Sequence, residues 1–123
     1  MKIYIATPIN SRPEHRMIDK MLGAKKRVEE IVAAMRKAKM KLLADAQYYS
    51  TFDINGIAHN VNESKAMGNC VRLVMDCDAI LLDDEMESKH PSKGMHIEET
   101  VAETYGKEIL HYHGSTPIDI PTT

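Results

Sequence analysis

Ala79-Ile80-Leu81-Leu82-Asp83-Asp84-Glu85, followed after a short spacer by Pro91-Ser92-Lys93-Gly94-Met95-His96-Ile97-Glu98, is the stretch that decides the fold. A near-continuous apolar run of this length reads as a parallel strand buried on both faces, here Asp78 to Asp83. It ends in an acidic loop. A helix then opens with Ser92 as N-cap, runs from about Lys93 to Tyr105 and closes on Gly106. Strand, loop and helix in that order form a βα unit, and its edge is where open α/β sheets bind ligands. Glu98 follows Gly94 by about one helical turn, so a carboxylate faces whatever the helix mouth holds.

The same grammar extends in both directions. Residues 2–6, Lys-Ile-Tyr-Ile-Ala, form a first strand that Thr7-Pro8 stops. Pro13 suits the first turn of a helix, and from Glu14 to about Lys39 apolar residues recur at helical steps: Met17, Met21, Ala24, Val28, Ile31, Val32 and Met35. The basic residues between them, Arg27 included, read as a solvated face. Met40 to Ala44 is expected as the second strand. Residues 45–61 are expected to be irregular, with Asp53, Asn55-Gly56 and Asn60 as turn residues. So long a connection suits a binding loop. Tyr48, Tyr49 and Phe52 within it have two readings, stacking on a ligand's ring or pinning the loop to the core. A helix from about Asn62, its N-cap, to Asp76 carries an apolar stripe of Met67, Cys70, Val71, Val74 and Met75. Glu108 to Tyr112 is the last strand. Residues 113–123, with Pro117 and Pro121, read as a loosely ordered tail.

Strands and helices alternating with right-handed crossovers predict a flavodoxin-like, doubly wound parallel sheet of about four to five strands with helices on both faces. The carboxyl ends of strands 1 and 3 should meet at the switch point, bringing Thr7 and Pro8 to Asp83 and Asp84. One domain over residues 1–112 fits the 123-residue length.

Composition excludes several classes. A formal charge of −2 offers no global field for a nucleic-acid polymer or an acidic membrane. No segment is apolar for long enough to span a bilayer, and the N-terminus reads as a strand and not as a leader. A cytoplasmic protein is expected, with Cys70 and Cys77 reduced and in the core. His15, His59, His90, His96, His111 and His113 form no ligand spacing with Cys or carboxylates, so neither metal nor cofactor is expected. Nine methionines and one Phe suggest an adaptable core.

On the wheel of the last helix, Gly94, Glu98 and Ala102 share a column, with Ile97, Val101 and Tyr105 as an apolar column beside it. Glu99 and Glu103 fall in a third, in water. Glu98 therefore borders the buried face between two small residues that leave room beside it. Two readings fit: a first-turn carboxylate complementing the helix dipole, or a buried carboxylate kept for a ligand. Ser92 likewise reads either as a plain N-cap or, with the N–H groups of Lys93 and Gly94, as a phosphate cradle.

At these residues the chain resembles a known group. Met1-Lys2-Ile3-Tyr4-Ile5-Ala6-Thr7-Pro8-Ile9 is similar to the opening strand and loop of the nucleoside 2-deoxyribosyltransferase-like superfamily. Cys77-Asp78-Ala79-Ile80 and Ser92-x-Gly94-x-x-x-Glu98-x-x-x-Ala102-x-x-x-Gly106 resemble its second signature. Among its branches the chain looks most like the DUF4406 family, common in phage and bacterial genomes.

The resemblance implies a hydrolase or deoxyribosyltransferase acting at the N-glycosidic bond of nucleosides or nucleoside 5′-monophosphates. Glu98 would be the nucleophile on the anomeric carbon, where a carboxylate stabilises and traps an oxocarbenium-like centre. Tyr4, Thr7, Pro8, Ser92, Lys93 and Gly94 would bind substrate. Ser92, where the transferases often carry a carboxylate, leans the expectation towards a 5′-phosphate. A homo-oligomer, dimer or larger, is implied too. Two positions depart from the pattern. Thr7 stands where the loop usually has Gly. Cys70 stands where the family has an Asp that aids sugar recognition or proton transfer. Protonation of the leaving group would then fall to Asp83, Asp84, His96 or a loop residue. The alternative is a non-catalytic nucleotide-binding module that has lost its acid partner at Cys70; a purely structural role comes third.

Overall fold

Alternation along the first and third strands sets the architecture. In the computed structural model, which describes residues 1–57 and 63–114, β1 (Lys2–Ala6) and β3 (Ala79–Asp83) lie side by side and parallel. Ile3, Ile5, Ala79 and Leu81 turn to one face of the sheet, and Tyr4, Ala6, Ile80 and Leu82 to the other. Successive strand residues point to opposite faces, so a strand apolar at both parities has to be covered twice. On the first face α1 (Met17–Arg36) supplies Ile31 and Met35. On the second, Cys70 and Val74 come from α4 (Glu63–Asp76), and Met95 and Ala102 from α6 (Lys93–Thr104).

The sheet order is β2-β1-β3-β4, with β2 at Gln47–Tyr49 and β4 at Glu108–Tyr112, every neighbour parallel. This is the expected flavodoxin-like arrangement, with four strands among the described residues. The chain ends of β1 and β3 meet as expected at the switch point, where the Thr7 hydroxyl donates to Asp83 Oδ2 at 2.8 Å.

Several elements differ from the sequence reading. Met40 to Ala44 is not a strand: Lys41–Ala44 is one helical turn, α2, that buries Leu43 and leaves Leu42 in solvent. The strand lies further on, where Gln47 N–H donates to Met1 O at 2.9 Å and the β-favouring tyrosines begin. Residues 45–57 are accordingly less irregular than expected. After β2, Ser50 and Asp53 cap each other's backbone N–H groups in a capping box that opens the short helix α3 (Thr51–Ile54). The acidic stretch after β3 is also helical: α5 (Asp84–Lys89) starts on Asp83, whose side chain accepts from Met86 N–H. Its first turn carries Asp84, Glu85 and Glu87, which suits the positive end of the helix dipole. Asn60, the Asn62 N-cap and the tail from residue 115, with Pro117 and Pro121, lie outside the described residues.

The end of α6 is as the sequence indicates. Gly106 takes φ +68°, and Lys107 N–H returns to Ala102 O at 2.9 Å, which closes the helix in a Schellman pattern. The wheel assignment needs correction. The face α6 buries carries Met95, Glu98 and Ala102, while Ile97 is 45% and Tyr105 56% exposed. The helix is rotated so that the carboxylate, and not the full apolar column, turns inwards.

Candidate active site

Beyond the carboxyl ends of β1 and β2 lies a cleft of about 950 Å³, walled by the first turns of α6, by α4 and by the loop after β1. Its floor is polar. Tyr4 points to the α4/α6 face because of its parity on β1, and there its hydroxyl donates to Glu98 Oε2. Both side chains are buried, Glu98 at 6% exposure, yet both border the cleft. The walls are largely apolar and include Met17, Met21, Met67 and Met95. These flexible thioethers can shape themselves to a flat ring, so methionines expected only in the core also line the site.

Burial sets the chemistry of Glu98. Desolvation disfavours its charged form, the Tyr4 hydroxyl opposes this only in part, and the carboxyl is pushed up to about 7. Tyr4 is raised as well, first by burial and then by the Glu98 charge. A folded value above the ordinary 4.5 means that the folded state keeps a proton the unfolded chain has released. Glu98 therefore costs nothing below about pH 4.5, destabilises progressively as pH rises towards 7, and costs its full amount above that. At ~1.4 kcal/mol per pH unit the full amount is about 3 kcal/mol. Urea denaturation should find Glu98→Gln more stable than wild type by up to about 3 kcal/mol at pH 8 and equal to it at pH 4. A difference that does not change with pH would contradict this account.

The position where the sequence places Cys70 is inside the site. Cys70 borders the cleft beside Tyr4 and Glu98. Its thiol donates to Thr51 Oγ1 at 3.1 Å, and Asn55 Nδ2 lies 3.4 Å from the sulfur. Asn69 holds Asn55 in turn, at 3.0 Å. Burial pushes the thiol up, which keeps it a neutral hydrogen-bonding group. Sequence reasoning missed this Thr51-Asn55-Asn69 network. The Ser50-x-x-Asp53 capping pair was the signal that α3 begins there and turns Thr51 towards α4.

Other expected residues are distributed as follows. Thr7, Ser92, Lys93 and Gly94 border the cleft. The Thr7 hydroxyl is committed to Asp83, so it is not free to donate to a ligand. A Cβ on Gly94 would come within 3.2 Å of Met67 Cε, so glycine there allows α6 to approach α4 closely. Pro8 is fully buried and is not a lining residue. Tyr48, Tyr49 and Phe52 do not line the cleft either. Tyr48 packs on the core and donates to Leu43 O at 2.6 Å, which fits the loop-pinning reading.

Asp83 is the main correction. It sits at the opposite parity from Tyr4, faces α1 and is completely buried. Arg27 Nε and Nη2 each donate to it at 2.9 Å, Thr7 takes the same face, and Met86 N–H completes the set. With both oxygens engaged by Arg27, Thr7 and Met86 and no exposed surface, it has none to turn towards a leaving base. Arg27 is accordingly no surface residue: it also reaches Glu85 at 3.0 Å and lies over the Tyr112 ring. Asp84 pairs with His111 at 2.7 Å and His96 with Glu87 at 3.2 Å, both outside the cleft.

Comparison with known proteins agrees with the fold. The family model described as "Domain of unknown function (DUF4406)" matches residues 1–111. Among solved structures, the fold is similar to that of a 2-desoxiribosyltransferase from Leishmania mexicana, with a TM-score of 0.57 and 24% identity over 90% of this chain and 63% of that one. The chain thus spans less than two thirds of that transferase's length, and the likeness is one of fold. No curated protein matches the sequence.

Proposed function

We propose, for a chain that belongs to the DUF4406 family, that the cleft breaks the N-glycosidic bond of nucleosides or nucleoside 5′-monophosphates, by hydrolysis or by deoxyribosyl transfer. The observation that carries this is Glu98: a buried carboxylate held by a buried tyrosine at the floor of a methionine-walled cleft. Tyr4 engages Oε2, which leaves Oε1 for the sugar. As the bond from C1′ to the base breaks, the base departs with the electron pair and takes up a proton from solvent water, and Glu98 bonds to C1′. Water or a second base then attacks C1′ and frees the carboxylate. An oxocarbenium-like centre gains most from a carboxylate that is desolvated, since its charge is then little screened. The homo-oligomer that the resemblance implies is part of the same reading, and the exposed Ile97 and Tyr105 on α6 are surface it would cover.

The test is base release by the wild-type chain from a panel of nucleosides and nucleoside 5′-monophosphates, with and without an acceptor base. Release into water identifies a hydrolase, and exchange between bases a transferase. Absence of both, with melting temperatures raised by some members of the panel, would favour the nucleotide-binding module instead. Cys70 at the family's acid position is what supports that second reading.

Acid-limb kinetics supply a further prediction. Glu98 must be charged to attack, so activity should rise with pH through about 7. Tyr4→Phe removes the hydrogen bond that favours the charged form. It should move this limb upwards by about one pH unit and lower the rate at pH 6 by roughly tenfold or more. An unmoved limb would separate Tyr4 from the nucleophile.

A further inference from the structure

The mouth of α6 already holds an anion of the chain's own. Glu87, on α5, accepts the Ser92 N–H on Oε2 at 2.7 Å, and its Oε1 lies 3.2 Å from His96 Nε2. The Ser92 hydroxyl accepts from Met95 N–H at 3.3 Å as the N-cap and keeps its own hydrogen to donate. A helix N-terminus attracts a ligand's phosphate through free N–H groups and the dipole. Here a carboxylate takes the N-cap N–H and sets a negative charge beside the Ser92 hydroxyl and the first-turn N–H groups that would receive a phosphate.

The cleft beside this mouth carries little positive charge of its own. Among the described residues that line it, Lys93 is the one cationic side chain. Among the described residues no arginine lines the cleft: Arg12 meets Glu14 through Nε and Nη2 and keeps a buried, unpartnered Nη1, Arg16 pairs with Asp19, and Arg27 with Asp83 and Glu85. The Lys20 ammonium donates to Asn10 O at 2.7 Å. The remaining polar lining, such as Asn10, Thr51 and Ser64, is neutral and suits hydroxyl groups.

We propose that Glu87 is a specificity-determining residue that reserves the cleft for neutral nucleosides and disfavours their 5′-monophosphates. The proposal rests on the glycosidic-bond reading above and narrows its substrate class. A 5′-phosphate at Ser92 either meets the Glu87 carboxylate at close range or displaces it, and displacement costs the Ser92 and His96 contacts. Ser92 in isolation points to a phosphate; Ser92 with Glu87 seated on its N–H does not.

Isothermal titration of the full chain with matched pairs, a 2′-deoxynucleoside and its 5′-monophosphate, tests this in wild type and Glu87→Gln. The amide keeps an oxygen for the Ser92 N–H, so the turn is preserved. Wild type should bind the nucleoside at least about tenfold more tightly, and Glu87→Gln should narrow that gap by roughly tenfold through a gain on the monophosphate. Inorganic phosphate should bind Glu87→Gln more tightly than wild type. A wild type that binds the monophosphate as tightly as the nucleoside overturns the proposal without recourse to any variant, as does an equal gap in both proteins. If no nucleoside or monophosphate binds at all, the glycosidic-bond reading fails and this proposal falls with it. Nucleoside binding with an unmoved gap removes the Glu87 role alone.

Discussion

Glu98→Ala is expected to lower kcat/KM for base release at least about 10³-fold, while circular dichroism and a cooperative thermal transition show the fold retained. The loss is large because the same side chain forms the covalent intermediate and neutralises the developing charge at C1′. It is not a folding effect, since Glu98 destabilises the folded chain at neutral pH through its burial. Glu98→Gln sharpens the point: it keeps the volume and an acceptor for the Tyr4 hydroxyl. It should lose as much activity as the alanine variant while gaining stability at pH 8. A variant that loses activity and stability together would mean that the residue is structural. One that keeps more than about a tenth of the wild-type rate would move the nucleophile elsewhere.

The second large effect concerns stability. Arg27→Ala should destabilise the chain by about 3–5 kcal/mol, because it leaves Asp83 buried without its guanidinium. Asp83 is wholly inaccessible, and Arg27 contacts both of its oxygens. What remains is one hydroxyl from Thr7 and one backbone N–H from Met86. Against a domain stability of about 5–15 kcal/mol, the loss should bring the urea midpoint down sharply. Arg27→Lys should recover little, since one ammonium cannot meet both Asp83 oxygens and Glu85 as the planar fork does. The double variant with Asp83→Asn should recover much of the loss, because a neutral amide costs less to bury unpaired. A loss below about 1 kcal/mol for Arg27→Ala would show the pair to be solvated in effect.

The two side chains behind these predictions differ in how far they could be read in advance. Glu98 was legible because a helix is a local object. Four-residue spacing puts Gly94, Glu98 and Ala102 in one column at the border of the buried face, with small residues that leave room beside the carboxylate; how far the helix turns that column inwards was not legible. Ser92 and Gly106 bound that helix through cap chemistry that needs no distant partner. Arg27 was not legible. It lies among Lys25, Lys26, Glu29 and Glu30, and nothing in that charged run marks one member as reaching across to β3. The short strand β2 was misplaced for a similar reason. Leu42 and Leu43 look like strand material, but three residues paired to the edge of β1 decide the register.

By itself the sequence determined the alternation of strands with the three long helices, the parallel sheet with helices on both faces and the helix carrying the candidate nucleophile. Those follow from periodicity, caps and crossover handedness, which act over short stretches of chain. Only the tertiary structure decided which groups meet. Tyr4 reaches Glu98, 94 residues away, and Asp83 turns to Arg27 on the opposite face. The physical reason is strand parity. A strand buried on both faces is apolar at every position, so its pattern does not say which side chains face which helix. The packing of α1 against one face and of α4 and α6 against the other settles that, and with it which carboxylate opens to the cleft and which is locked in a salt bridge.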